Sequence, residues 1–534
     1  MAGYLEALSD NIRVDKDKCV FCGKCVDTCI LDNLRLKLAP CRQACPMGVN
    51  VQGYVQLVLR GEDDRARSLV REALPFPEMM CLVCHRPCEA ACERGKGGDA
   101  PVNIRAIKRY LFAEGTPPPL PEKAADSGRR VAVVGSGPAG LVAAYDLALR
   151  GHKVVVYEKG AAPGGQLRTG IPAFRLPPDL LDREIAVLPQ LGVEFACGTA
   201  VGKDLTLDSL QASFDAVILA AGLSDARMLG LPGEEAEGVM SGMAFLEAVH
   251  QGKGQDLSGS VLVIGGGNAA VDAALCALRQ GAAQVTMVSL EQKGDLPAFA
   301  HELEQAACEG IRFLPGWGVA RMEAPEGKVT GVVLKRCTSV FSPDGTFAPV
   351  FDEAETLAVP ADHVIVAIGQ GRDAAIFQGS DLSGNVMAQA DPLTHQVGDS
   401  RLFVAGDFYS GAGSVVSAMA SGRAAAESVN RLLAGDPLQF GRAYAGPVET
   451  DFSISHERGS AAVRQVPPCH SSSGKGDYAL IEGVFSQEQA RTEASRCYSC
   501  GGPFGKHRSC WFCLPCEVEC PEQALHVEIP YLLR

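Results

Sequence analysis

The sequence predicts a multidomain chain in which two α/β dinucleotide-binding (Rossmann-like) units lie between cysteine-rich ends. Three observations carry that reading. The run VAVVGSGPAG, Val131 to Gly140, is a short apolar strand that leads straight into Gly135, Gly137 and Gly140. A second run of the same form, VLVIGGGNAA, spans Val261 to Ala270. Of the 21 cysteines, ten fall between Cys19 and Cys92 and six between Cys497 and Cys520.

A chain of 534 residues is too long for one hydrophobic core, so several domains are expected. Hydrophobic residues at 47% and charged residues at 21% are the balance of a soluble globular protein. A formal net charge of −14 argues against nucleic acid or an anionic membrane as the main partner. No apolar run approaches a membrane span, and the amino terminus lacks the basic-then-apolar order of a signal peptide; no membrane insertion and a cytoplasmic location are expected. In that compartment clustered cysteines bind metal more often than they form disulfides. The isolated Cys197, Cys276, Cys308, Cys337 and Cys469 read as small buried hydrophobes.

Taken in order, Cys19, Cys22, Cys25 and Cys29 have the CxxCxxCxxxC spacing of a loop that wraps a [4Fe–4S] cluster, although no proline follows Cys29. A helical stretch follows, with Tyr54, Leu57 and Val58 on one face and a break at Pro75 and Pro77. Cysteines stand at its helix ends: Cys41, Cys45, Cys84, Cys88 and Cys92, with Cys81 as an additional candidate. Such short helices build little core, so bound metal is expected to supply folding energy. A proline-rich linker, Thr116 to Arg130, leads to the first glycine unit.

In that unit the first glycine permits the tight turn, the second the close approach of a pyrophosphate, and the third the packing of helix on strand. Gly135, Gly137, Pro138, Ala139 and Gly140 are therefore candidates for binding FAD, with Glu158 and Lys159 at the end of the next strand, where an acid accepts from ribose hydroxyls. Gly165, Gln166 and Leu167 of the following GGQL segment can approach the same group. The second unit offers Gly265, Gly267, Asn268, Ala269 and Ala270 to a nicotinamide nucleotide. Glu291, at the end of its second strand, favours NAD(H) over NADP(H), because a carboxylate repels a 2′-phosphate; the nearby Lys293 partly offsets it. The strand Val364 to Gln370 is expected to bring the chain back to the first unit. There Gly406 and Asp407 precede a helix whose start, Gly413, Ser414 and Val415, can face a flavin or phosphate.

Gly446 to Gly483 reads as a loose last linker, and the chain ends in Cys510, Cys513, Cys516 and Cys520, a CxxCxxCxxxCP motif. Just before it, Cys497 and Cys500 either complete a second cluster, bind another metal or are idle. The expected division is 1–38 ferredoxin-like segment, 39–115 helical iron–sulfur domain, 129–250 and 364–440 FAD-binding domain, 251–363 NAD(P)-binding domain, and 484–534 ferredoxin-like [4Fe–4S] domain.

From Pro40 to Leu433 the motifs PCRQACP, PFP, Cys88-Glu89, VNI, GSGPAGL, GGQL, GGGNAAVDAA and AGD together resemble the small subunit of glutamate synthase and the amino-terminal half of dihydropyrimidine dehydrogenase. That resemblance implies an α-helical iron–sulfur domain and two interleaved nucleotide domains, in which hydride from NAD(P)H reduces FAD and electrons leave singly through three or more [4Fe–4S] clusters. It implies one cluster on Cys41 and Cys92 and another on Cys45, Cys84 and Cys88. Three departures stand out. Asn33 and Leu36 replace a cysteine pair, so members of the Cys19–Cys29 run must substitute for it or form their own cluster; Lys108 replaces a glutamine ligand, leaving Cys81 or Cys29 as fourth-ligand candidates; and Leu290-Glu291 stand where NADP users carry arginines. The ferredoxin-like ends imply a subunit of a hetero-oligomeric complex that exchanges electrons with a partner redox subunit or ferredoxin. Two alternatives are a small subunit feeding a glutamine-dependent glutamate synthase, and a relay or scaffold subunit with a vestigial nucleotide site. Hydride transfer at flavin needs orientation rather than an acid–base pair, so no catalytic side chain is expected.

Overall fold

The computed structural model describes residues 12–30, 33–113, 118–382, 384–442, 446–470, 472–505, 510 and 513–528. Two five-stranded parallel sheets form its centre. The first runs in the order Leu402–Val404, Ala216–Leu219, Arg130–Val134, Lys153–Glu158, Glu194–Cys197. Its middle strands are continuous apolar runs because helices cover both faces: Val131, Ala132 and Val133 are fully buried. Helix Pro138–Leu149 leaves the first glycine turn and packs against helix Val415–Ala434.

The second sheet runs Arg312–Pro315, Gln284–Ser289, Ser260–Ile264, His363–Val366, Val239–Ser241. A three-stranded antiparallel meander, Trp317–Glu323, Gly331–Phe341 and Phe347–Pro360, is inserted in it. The chain leaves the first sheet after Ala216–Leu219 and rejoins it only at Leu402–Val404. This corrects the expectation for Val364 to Gln370. Strand His363–Val366 pairs in parallel with Val261–Ile264 and so belongs to the second sheet, as does Val239–Ser241 on its far side. An apolar run ending in glycine suits the buried centre of either sheet, and only register distinguishes them.

The helical region runs through Pro40–Gln43, Val51–Arg60, Asp63–Ala73, Pro77–Val83, Pro87–Ala90, Glu93–Lys96 and Ile104–Ala113. Helix Val51–Arg60 starts where the Asn50 side chain accepts from the Gly53 amide, and stops at Gly61 with φ 89°. Tyr54, Leu57 and Val58 are buried as their spacing predicts, and the chain breaks between Ala73 and Pro77.

The two ends of the chain form one unit rather than two. Ile12–Val14 pairs antiparallel with Leu525–Val527, and Leu34–Lys37 pairs antiparallel with Gly502–Gly505. Cys25, Val26, Leu34 and Leu36 share a core with Cys516, Leu525 and Val527. Each end alone is too short to bury an apolar face, and pairing supplies the missing half. The segment expected to be a loose linker is tied down as well: the Ile481 amide donates to Phe174 O (3.0 Å), Gln280 donates to the Tyr478 hydroxyl (2.7 Å), and Arg105 pairs with Glu482. Among the described residues no helix is long and apolar enough to cross a membrane.

Candidate functional site

In the first glycine turn the three glycines have different surroundings. Gly135 has φ 98°, and a Cβ there would lie 2.5 Å from Ala220 O. A Cβ on Gly140 would lie 2.0 Å from Gly135 O, so helix and strand are in contact there. Nothing stands within 4 Å of a Cβ built on Gly137, which leaves backbone open at the start of helix Pro138–Leu149. Gly165 closes on the same turn, since its Cβ would sit 3.0 Å from Gly137 Cα, and the Gly164 amide donates to Ser136 Oγ (3.0 Å). Leu167 is buried behind it, and Gln166 donates to Leu223 O and to Gln370.

Glu158 is buried at the strand end. It accepts from the Ser136 amide (3.0 Å) and hydroxyl and from the Gly160 amide (2.7 Å), so it also fixes the loop. Of the roughly four lone pairs of a carboxylate, these use three. Lys159 points away to Ser224 (2.8 Å) and Asp373 (3.5 Å). From the carboxy-terminal part of the sheet, Gly406 has φ 63° and would meet Ala139 with a Cβ at 2.8 Å, and Gly422 would meet Ala139 O at 2.1 Å. These close approaches bring Asp407 and the helix start at Gly413, Ser414 and Val415 to the glycine turn. Burial raises the Asp407 carboxyl, while the Gly413 amide opposes the shift.

The second turn repeats this geometry. Gly265 would meet Ala367 O at 2.3 Å, Ala270 holds the third position fully buried, and Gly267 is open, with nothing within 4 Å. Asn268 donates to Glu302 (2.9 Å) and accepts from the Phe299 amide (3.2 Å). Ala269 follows it in the first turn of helix Asn268–Arg279. Glu291 lies over the loop, its Oε2 2.9 Å from a Cβ built on Gly266. Sequence reasoning missed Arg336. It comes from the inserted meander, stacks on Trp317 at 5.3 Å and reaches Gln292 beside Glu291 (3.5 Å). No spacing signal points to it, because pairing between strands places it there.

The cysteines assemble into groups drawn from distant segments. Burial pushes the Cys25 thiol up to about 12, and the nearby Cys19, Cys22, Cys520 and Cys516 act in the same sense. Burial likewise pushes Cys516 up to about 11, with Cys29, Cys510 and Cys513 close by and acting in the same sense. Each terminal motif thus has the last cysteine of the other beside its first three. Cys41 is raised well above the ordinary thiol value by burial, and then by Cys497, Cys88, Cys500 and Cys92. Cys88 is raised by burial and Glu89, with Cys84 and Cys45 close by. Among the described residues no group of three or more His, Cys, Asp or Glu closes around a single ion. The thiols would instead meet different corners of a cluster, whose positive irons favour the thiolate that burial opposes.

Of the fourth-ligand candidates for Cys45, Cys84 and Cys88, Cys29 lies with Cys510, Cys513 and Cys516. Cys81 is buried against Lys108, Glu184, Arg109 and Arg105. Burial alone would lower the Lys108 ammonium, but Cys81, Cys84, Cys88 and Cys45 hold it up. Between the terminal unit and the helical region, Arg42 donates to Phe21 O (3.1 Å), with Cys22 and Cys41 both near it.

Residues 129–422, more than half of the chain, match the family described as pyridine nucleotide-disulphide oxidoreductase. The chain belongs to that family. Residues 6–116 match dihydropyrimidine dehydrogenase domain II, 4Fe-4S cluster, so this oxidoreductase carries an iron–sulfur module ahead of its nucleotide-binding sheets. Its relatives include the NADP(+)-dependent formate dehydrogenase subunit beta of Moorella thermoacetica, 32% identical over 86% of this chain and 70% of that protein. The NADPH-Fe(3+) oxidoreductase subunit beta of Geobacter sulfurreducens is 31% identical over 86% of this chain and 75% of its own length. The NAD-dependent dihydropyrimidine dehydrogenase subunit PreT of Escherichia coli is 33% identical over 74% of this chain and 92% of its own. These relatives fit the glutamate synthase-like resemblance of the sequence. FprA of Mycobacterium tuberculosis, solved with NADPH, shares the fold at TM-score 0.50 and 18% identity, over 57% of this chain and 85% of that one.

Proposed function

We propose that this oxidoreductase is the nucleotide-handling subunit of a larger complex, exchanging hydride between a nicotinamide nucleotide and FAD and passing single electrons through iron–sulfur clusters to or from a partner redox protein. The observation that carries the reading is the presence, in one chain, of two open glycine cradles and a line of cysteine groups.

The residues fit FAD and a nicotinamide nucleotide. The open backbone at Gly137 with the amides of Ala139 and Gly140 suits a pyrophosphate, Glu158 and Asp407 suit ribose and ribityl hydroxyls, and the start of helix Val415–Ala434 suits an electron-rich ring edge. Gly267, Asn268, Ala269 and Ala270 would hold the nicotinamide nucleotide in the same way. When bound, FAD takes up two electrons as hydride and releases them one at a time, which is what joins a nicotinamide to one-electron clusters.

The cysteine groups form a sequence of neighbours. Cys516 of one terminal group lies beside Cys25 of the other, Arg42 has both Cys22 and Cys41 near it, and Cys41 neighbours Cys88. Such an order supports stepwise passage of single electrons between the nucleotide sheets and a surface near the chain ends. Glu291 supports NAD(H), with Arg336 the residue positioned to offset it. We place the reaction in the cytoplasm. The test is anaerobic titration with NADH and then NADPH, read by the flavin and cluster absorbance. Bleaching by NADH supports the reading, and bound flavin that neither nucleotide reduces overturns it.

A further inference from the structure

Cys497 and Cys500 belong to no four-cysteine motif in the sequence, and the terminal motifs have their own complements in space. The structure seats this pair elsewhere. Helix Gln487–Ser495 packs on helix Val51–Arg60, and the chain then turns at Arg496 into the helical region. Arg496 is fully buried and donates to Ala100 O (2.7 Å), Pro101 O (3.3 Å) and Ala462 O (3.0 Å), while Arg94 donates back to Arg496 O (2.7 Å). Arg94 also lies 5.3 Å from the Tyr498 ring. From the other side, Gln52 donates to Cys500 O and Gln56 to Ser499 Oγ. Beyond Cys500, Gly501 is so close to Lys37 O that a Cβ would lie 2.1 Å from it. The loop is therefore clamped between helix Val51–Arg60, the segment after Cys92 and the strand that precedes Cys41.

Its local form is that of a ligating turn. Ser499 has φ 53°, a left-handed value rare outside glycine, and its amide donates to Cys497 Sγ at 3.4 Å. Cys19 to Cys22 repeats both features: Phe21 has φ 54°, and its amide donates to Cys19 Sγ at 3.3 Å. Two CxxC turns of unrelated sequence share a strained backbone and an amide aimed at the first sulfur. Both features suit a thiolate held for a metal.

We propose that Cys497 and Cys500 join Cys41 and Cys92 as the four ligands of one [4Fe–4S] cluster, so that the carboxy-terminal segment closes a site the helical region only half supplies. Cys41 and Cys92 contribute two thiolates from helix ends, and the clamped turn contributes two more from about four hundred residues away in sequence. Each of the four thiols gives up its proton on binding. The inference rests on the iron–sulfur reading of the chain and goes beyond it by assigning a ligand set.

The experiment uses full-length protein, reconstituted anaerobically, with iron, sulfide, zinc and flavin measured per chain. The double variant Cys497→Ala/Cys500→Ala should lose about four irons and retain FAD. Cys41→Ala should lose the same four, and the triple variant should lose no more, because all three substitutions empty one site. Cys308→Ala, at a thiol that is exposed, as Cys469 is, and not the buried hydrophobe its isolation in the sequence suggests, should lose none. Unchanged iron in the double variant, or losses that add in the triple, would overturn the assignment, as would zinc in place of the lost iron. If the double variant fails to fold, alkylation of the wild-type protein decides. Cys41, Cys92, Cys497 and Cys500 should become reactive together when the clusters are destroyed oxidatively, and independent reactivity of Cys497 and Cys500 would refute the site. Wild-type protein that takes up no iron at all would instead remove the iron–sulfur reading itself.

Discussion

Gly137→Val separates cofactor binding from folding. Gly137 has φ −70° and ψ −177°, a region that valine adopts readily, and its Cβ would meet nothing within 4 Å. The cost to the empty fold is therefore confined to a poorer helix cap, on the order of 1 kcal/mol. The new methyl groups, however, occupy the space through which a pyrophosphate reaches the amides of the helix start. The variant should fold but carry no FAD. Its melting temperature should fall only slightly below that of deflavinated wild type and further below that of the flavin-loaded protein, since a ligand at a hundred times its dissociation constant contributes about 2.7 kcal/mol. Gly140→Ala is the contrast, because its Cβ would lie 2.0 Å from Gly135 O and must displace backbone. It should destabilise the empty protein by about 1–3 kcal/mol. The assay is flavin content after gel filtration, with calorimetry of the deflavinated proteins. Stoichiometric FAD in Gly137→Val would refute the placement of the pyrophosphate.

Gly267→Val, at the matching open position of the second sheet, should keep FAD but abolish its reduction by NADH in stopped-flow absorbance. Glu291→Arg should move the NADH-to-NADPH ratio of kcat/KM toward NADPH by about tenfold, equivalent to about 1.4 kcal/mol, and an unchanged ratio would transfer the role to Arg336. Glu493→Ala should cost about 3–5 kcal/mol in urea unfolding. Glu493 and Arg496 form a 2.7 Å ion pair with both side chains fully buried, and Glu493 also accepts from the Asn103 (2.7 Å) and Gln465 (2.6 Å) amides. Burial pushes the Glu184 carboxyl from 4.5 up to about 8, against the Met79 amide. The fold thus favours the protonated acid, and stability linked to Glu184 falls as pH rises through that interval. Glu184→Gln should flatten the decline in urea midpoint between pH 4.5 and about pH 8, and an unaltered slope would show that another group titrates there.

Much of the architecture was legible because it depends on local chemistry. A tight turn with backbone exposed to a phosphate needs glycine at Gly135 and Gly137, and close helix packing needs a small residue at Gly140 or Ala270, so both nucleotide units are written in short strings. The helix from Asn50 to Gly61 was readable for the same reason, through its cap and its apolar spacing. The spacing of Cys19 to Cys29 and of Cys510 to Cys520 likewise marks each as a candidate ligating loop.

Spacing does not say which loop faces which. The placement of His363–Val366 in the second sheet depends on register with Val261–Ile264, and an apolar strand carries no mark of its neighbour. The contact of Arg336 with Gln292, next to Glu291 in sequence, depends on a meander pairing across strands. The union of the chain ends depends on Ile12–Val14 finding Leu525–Val527, each an edge too short to persist alone. By itself the sequence determined the chemistry of each segment, since glycine, acid and thiol act through what they are. Only the tertiary structure decided which segments share a site, since that depends on burying surfaces and pairing edges that lie far apart along the chain.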